Sequence, residues 1–166
     1  NTLIGIGTTI LGNFNTLIGV SATSPITGAA NAIIGGGSHS ITANTSFIAA
    51  GAGNTIGSGD SNFIGGGVGN TVNSTQSGVI AGTGHTVLGD NNVILGGMNS
   101  RAEGTGDVIA ASSNVTADAT SRYNFGAAVT LTGTLAGRNS AIIAGESLHV
   151  YAGDNNAVIG GLREES

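Results

Sequence analysis

Ser61-Asn62-Phe63-Ile64-Gly65-Gly66-Gly67-Val68-Gly69-Asn70-Thr71-Val72 contains the motif on which the rest of the chain is built. Two short apolar steps, Phe63-Ile64 and Thr71-Val72, each follow an Asn and are separated by a run rich in Gly. β-Branched residues suit a pleated strand, and Gly and Asn tolerate the positive φ of a tight corner. A helix is excluded, because each interior Gly would cost about 1 kcal/mol relative to Ala.

The same unit, a polar residue, any residue, an apolar residue, Ile, then Gly or Ala, recurs from one end to the other. Aligned on its Ile, it places Ile4, Ile18, Ile34, Ile48, Ile64, Ile80, Ile94, Ile109, Phe125, Ile143 and Ile159 in one line, 14 to 18 residues apart. A fixed period of this kind is the signature of stacked repeats. A weaker apolar site follows six to eight residues later, clearest at Ile10, Ile41, Ile56, Val72, Val87 and Val115. Two strands per coil predict an all-β fold: a single-stack β-solenoid, or β-roll, of about eleven coils filling residues 1–166 as one domain. The Ile line is expected to be its core ladder. Corner residues Asn1, Asn15, Asn31, Thr45, Ser61, Ser77, Asn91, Gly106, Arg122, Ser140 and Asn156 are expected to form a second, polar ladder, bonded coil to coil as stacked amides are.

The residue before the repeated Ile is also apolar: Leu3, Leu17, Ile33, Phe47, Phe63, Val79, Val93, Val108, Ile142 and Val158. Neighbouring residues on a strand face opposite sides. These ten are therefore expected on the outside, as a continuous stripe larger than a soluble monomer usually leaves open, and they predict a side-by-side homo-oligomer seam.

Composition narrows the function. Charged residues are 8% of the 166, with four Arg, no Lys and nine acids, for a net charge of -5. A nucleic acid or an anionic membrane needs a basic footprint, so neither is an expected partner. With no Cys there are no disulfides or thiolate metal sites, and no apolar run approaches the roughly 20 residues of a membrane-spanning helix. An extracellular rod, on a cell or virion surface, is the expected setting.

Asn31-Ala32-Ile33-Ile34-Gly35-Gly36, Ser61-Asn62-Phe63-Ile64-Gly65-Gly66 and Asn156-Ala157-Val158-Ile159-Gly160-Gly161 resemble the repeated head module of trimeric autotransporter adhesins, and similar repeats occur in bacteriophage tail fibres. The resemblance implies a left-handed β-roll, three chains side by side, and binding to a host surface glycan or protein.

Gly59-Asp60, Gly89-Asp90, Gly106-Asp107 and Gly153-Asp154 read as turns in preference to a calcium edge, since they lack the nonapeptide spacing of calcium-binding rolls. His39 and His85 stand where other coils have Asn54, Asn70 and Asn99, and His149 is isolated, so no metal and no cofactor is expected. Gly35-Gly36-Gly37 lacks the Lys and following helix of a phosphate loop. Between Ala117 and Asn139 the corners lengthen, and Arg122, Tyr123 and Arg138 are the candidate recognition residues. A tailspike-like glycan hydrolase would need paired carboxylates. Glu103 with Asp107 is the sole such pair in an irregular corner, and the expected function is non-enzymatic: an adhesin head, a filament subunit or a tail-fibre segment. Apolar steps at Leu3-Ile4 and Val158-Ile159 would also let rods stack end to end.

Overall fold

The computed structural model describes residues 1–6, 9–21, 26–110, 112–117, 123–125, 141–143 and 157–159. The described part is an all-β solenoid of parallel strands, as expected, but with about seven turns in place of the expected eleven coils. The longest sheet has eleven strands: Thr2–Ile6, Thr16–Ser21, Ala32–Ile34, Phe47–Ile48, Phe63–Ile64, Gly78–Val79, Val93–Ile94, Val108–Ala110, Tyr123–Phe125, Ala141–Ile143 and Ala157–Ile159. Facing it, a six-stranded sheet comprises Ser40–Ile41, Thr55–Ser58, Thr71–Asn73, Thr86–Val87, Arg101–Ala102 and Thr116–Ala117. A third line of contact runs through single bridges from Ser21 to Gly37, Ala52, Val68, Thr83 and Met98, and ends in the pair Gly97–Met98 with Ser112–Ser113.

Each sheet sends one row of side chains inward. In the first sheet the row is Leu17, Ile33, Ile48, Ile64, Val79, Ile94 and Ile109, joined by backbone pairing and fully buried. In the second it is Ile26, Ile41, Ile56, Val72, Val87, Ala102 and Ala117, equally buried, with Ile10 packed against the same cluster. Each large member stabilises by about 1.5–3 kcal/mol relative to exposure, so the paired rows are the main cohesive term.

This register corrects the expected core ladder. Ile48, Ile64, Ile94 and Ile109 do face inward, but Ile4, Ile18, Ile34 and Ile80 are 62%, 39%, 45% and 45% exposed. Their places inside are taken by the residues expected on the seam, Leu17, Ile33 and Val79, while Leu3 holds the inner register of the first coil and is itself exposed. Ile33 pairs with Ile48, and Ile64 with Val79. In a period-two strand, a one-residue slip moves a side chain to the opposite face. The slip recurs further along, where Phe125 pairs with Ala110 and continues to Ile143 and Ile159, one position out of line with Ile109. Val115 is buried but belongs to a corner, and Ala117 holds the inner position expected for it.

Two polar ladders hold the coils together at the corners. The first is Asn1, Asn15, Asn31, Ser46, Asn62, Ser77, Asn92 and Asp107. At every step the side-chain oxygen accepts the backbone N–H of the next member, from Asn15 N–H to Asn1 Oδ1 (2.8 Å) up to Asp107 N–H to Asn92 Oδ1 (2.6 Å). Each Asn Nδ2 then donates to a carbonyl of the following coil, Asn15 to Gly28 and Asn92 to Gly104 among them. Thr45, Ser61, Asn91 and Gly106, expected in this ladder, are instead the positive-φ residues immediately before it, with φ of 51°, 61°, 60° and 78°. Their φ turns the chain so that the next residue points inward. Arg122, Ser140 and Asn156, expected at the same corner, lie outside the described residues.

The second ladder, His39, Asn54, Asn70, His85 and Ser100, follows the same rule. Three residues before Asn54 stands Gly51, and before Asn70 stands Gly67, with φ of +103° and +94°. A Cβ on Gly67 would collide with the Gly82 carbonyl and crowd Asn70 Nδ2. Gly-x-x-Asn is thus one device, the glycine leaving the space into which the amide folds.

Candidate interaction surface

The outer sides of the two sheets differ sharply in chemistry. Outward from the second sheet point Ser40, Thr55, Thr71, Thr86, Arg101 and Thr116, aligned by direct pairing. Arg101 forms an ion pair with Glu103 on that surface. The hydroxyl row runs past Arg101 and resumes at Thr116.

Outward from the first sheet, each inner residue is flanked by two others, one on either side along the strand. Their sizes compensate. Thr16 accompanies Ile18, Ala32 accompanies Ile34, Phe47 accompanies Ala49, Phe63 accompanies Gly65, and Gly78 accompanies Ile80. Val108 with Ala110 continues the pattern, whereas Val93 with Leu95 puts two large apolar groups on one level. Nearly every level therefore carries one large apolar group and one small neighbour. The ring of Phe63 lies close enough to Gly65 that a Cβ there would be 3.2 Å from its edge, so the large group lies across the space left by the small one. Phe47 and Phe63 rings stack along the rod with centroids 5.7 Å apart and planes tilted by 35°. The product is a levelled apolar strip.

Of the expected seam, Phe47, Phe63, Val93 and Val108 lie on this strip, half-buried, and Ile18, Ile34, Ile80 and Leu95 join them on the same outer face, each one residue after the inner position. Sequence reasoning assigned the first three of those to the core. The side chains of Ile142 and Val158 lie outside the described residues, as do Arg122 and Arg138; Tyr123 is described only as a strand residue.

Among the described residues the carboxylates do not converge. Asp60 and Asp90 are exposed at one corner, where Asp60 accepts from Asn44 Nδ2 (3.1 Å) and Asp90 from Thr75 N–H (2.7 Å). Asp107 is buried in the first polar ladder, while Glu103 is exposed on the second sheet's outer face. Among the described residues no group of three His, Cys, Asp or Glu is placed to hold a metal ion.

His39 and His85 are fully buried. Nδ1 of each accepts a backbone N–H from the next coil, that of Asn54 at 3.2 Å and that of Ser100 at 3.1 Å. Desolvation by burial pushes both imidazoles below the ordinary histidine pKa, and nearby backbone groups offset this only in part.

No protein-family model matches the chain, and no curated protein matches it at a significant level.

Proposed function

We propose that the chain is a non-enzymatic structural or adhesive module of an extracellular fibre, a stiff rod whose copies associate side by side through the outer strip of the first sheet. The levelled apolar strip is the observation that carries this reading. The seven described levels from Thr16 to Ala110, at about 4.8 Å spacing, extend it over roughly 30 Å, and with a width of about 10 Å it covers on the order of 300 Å², the size of the largest apolar patch on an ordinary monomer. Stiffness has its own support, because two rows of buried aliphatics and two continuous ladders of buried amides leave little freedom between coils. The separation of Glu103 from Asp107 weighs against paired-carboxylate hydrolysis. A trimer of such rods is what the adhesin-like repeat implies.

Light scattering at micromolar concentration tests the reading. The unmodified chain is expected to be a discrete oligomer, and Phe47→Ser with Phe63→Ser to lower the mass while leaving the β-sheet circular dichroism intact. A monomeric parent chain would overturn it.

A further inference from the structure

We propose that His39 and His85 make the second polar ladder releasable by acid, while the Asn and Ser steps of the first ladder, from Asn1 to Asn92, stay closed. At Asn54 and Asn70 the slot demands two things: an oxygen that accepts the N–H of the next coil, and an N–H aimed at that coil's carbonyl. Asn54 Nδ2 reaches the Gly67 carbonyl at 3.1 Å, and Asn70 Nδ2 the Gly82 carbonyl at 3.0 Å.

A neutral imidazole fits both demands in one tautomer only. Nδ1 must be bare, because the Asn54 and Ser100 amides donate to it. The proton then sits on Nε2, where it takes the position of the Asn amide; the Gly51 and Gly97 carbonyls act on the two rings from that side. No carbonyl meets Nε2 in good hydrogen-bonding geometry, so the fit is poorer than that of Asn.

Protonation breaks the first demand. A second N–H at Nδ1 would point at the backbone N–H that formerly donated to it, and a full charge would be buried without an anion. The strands around His39, Ala32–Ile34, Ser40–Ile41, Phe47–Ile48 and Thr55–Ser58, contain no ionisable residue. Around His85, strands Thr71–Asn73, Gly78–Val79, Thr86–Val87, Val93–Ile94 and Gly97–Met98 contain none either, and Arg101–Ala102 brings Arg101, already paired with Glu103 on the outer face. Asp60, Asp90 and Asp107 belong to the other corner. Asn and Ser have nothing to titrate, so the first ladder from Asn1 to Asn92 responds differently to pH from the second although the two are built alike.

The sign follows from linkage. Each folded pKa is depressed, so the unfolded chain takes up protons first as pH falls. The stability contributed by the neutral rings is complete above the unfolded value of about 6.5 and is lost progressively below it, down to the depressed folded value. Every unit of depression is a factor of about ten in the folding equilibrium for each histidine.

The test compares the wild-type chain with His39→Asn/His85→Asn, a variant that puts at both positions the residue already found at positions 54 and 70. Amide exchange, corrected for its intrinsic pH dependence, is read at pH 7 and pH 5. In the wild type, the Asn54 and Ser100 amides are expected to lose protection at pH 5, while the Ser77 and Asn92 amides of the first ladder keep theirs, with full recovery on return to pH 7. The variant is expected to keep protection in both ladders. An equal acid loss in wild type and variant would overturn the proposal. Imidazole ¹⁵N shifts of the wild-type protein give an independent reading: an unprotonated Nδ1 at pH 7 that gains its proton together with the amide loss supports it. A protonated Nδ1 at pH 7, or titration without amide loss, overturns it.

Discussion

The two sheets of this solenoid share an inside and differ on the outside. Inward, both present a row of Ile, Leu, Val or Ala at 0% exposure, and each row is approached through a corner of the same construction: a positive-φ residue, then an inward Asn, His, Ser or Asp. Outward, the second sheet shows hydroxyls and an ion pair, and the first shows Phe, Ile, Val and Leu fitted beside Gly, Ala and Thr. The interior rule therefore decides folding and leaves the outer residues free to decide what the rod meets. An outer face that only needed water would look like the second sheet on both sides.

The largest expected effect comes from crossing the boundary between inside and outside. Ile64→Asp buries an unpaired carboxylate in the inner row, and the chain is expected to lose its cooperative thermal transition altogether. Thr71→Asp puts the same group on the outer side of the second sheet, where it remains hydrated, and is expected to shift stability by no more than about 0.5 kcal/mol. Thermal melts followed by circular dichroism separate the two. Asn62→Asp belongs with the damaging changes, although a corner residue might be thought tolerant: Asn62 is buried, and its Nδ2 donates to the Ser58 and Ser74 carbonyls, which a carboxylate cannot do.

A smaller effect distinguishes adjacent residues on one strand. Leu17→Ala empties a fully buried site and is expected to cost about 2–5 kcal/mol, whereas Ile18→Ala trims a side chain 39% exposed and is expected to cost under about 1 kcal/mol in a dissociated chain. Urea denaturation at low protein concentration reads the difference. Equal costs would mean that this coil follows the alignment on Ile, with Ile18 inside.

That pair also locates what the amino-acid sequence could tell. A β-solenoid with two strands per coil was legible because the apolar steps, Gly and Asn recur together. The register was not, since Leu17-Ile18, Ile33-Ile34 and Val79-Ile80 each offer two apolar residues, and period-two packing accepts either. Alignment on the Ile gives irregular steps, while the observed inner row from Leu17 to Ile109 advances by 15 or 16 residues each time. The missing signal was the polar slot: the inner residue always stands two after it, as in Asn15 and Leu17, Ser46 and Ile48, or Asp107 and Ile109. Size compensation such as Phe63 with Gly65 became visible only once the register put both on one face. His39 and His85 share the slot of Asn54 and Asn70, as expected, but Asn99 stands one residue before that slot and Ser100 fills it, and the exchange of an amide oxygen for Nδ1 depends on which coil's N–H lies opposite.

The smallest change in folding stability is expected where the two outer faces are made alike. Thr55→Val, Thr71→Val and Thr86→Val together replace half-buried hydroxyls by methyl groups on strands where β-branched residues already fit, so the monomer should gain or lose no more than about 0.5 kcal/mol per site. Association is the informative readout. If apolar character alone drives side-by-side packing, the triple variant gains a second adhesive face, and light scattering should show masses above those of the parent at equal concentration. If levelling matters as well, the new face should associate weakly, because Arg101 and Glu103 interrupt it and Thr42, Gly57, Asn73 and Leu88 beside it do not compensate their neighbours in size as Ala49 and Gly65 do. The second outcome is expected. Extended linear or sheet-like aggregates from the triple variant would show that hydrophobicity suffices, and the fitted pairs on the first sheet would then need another explanation.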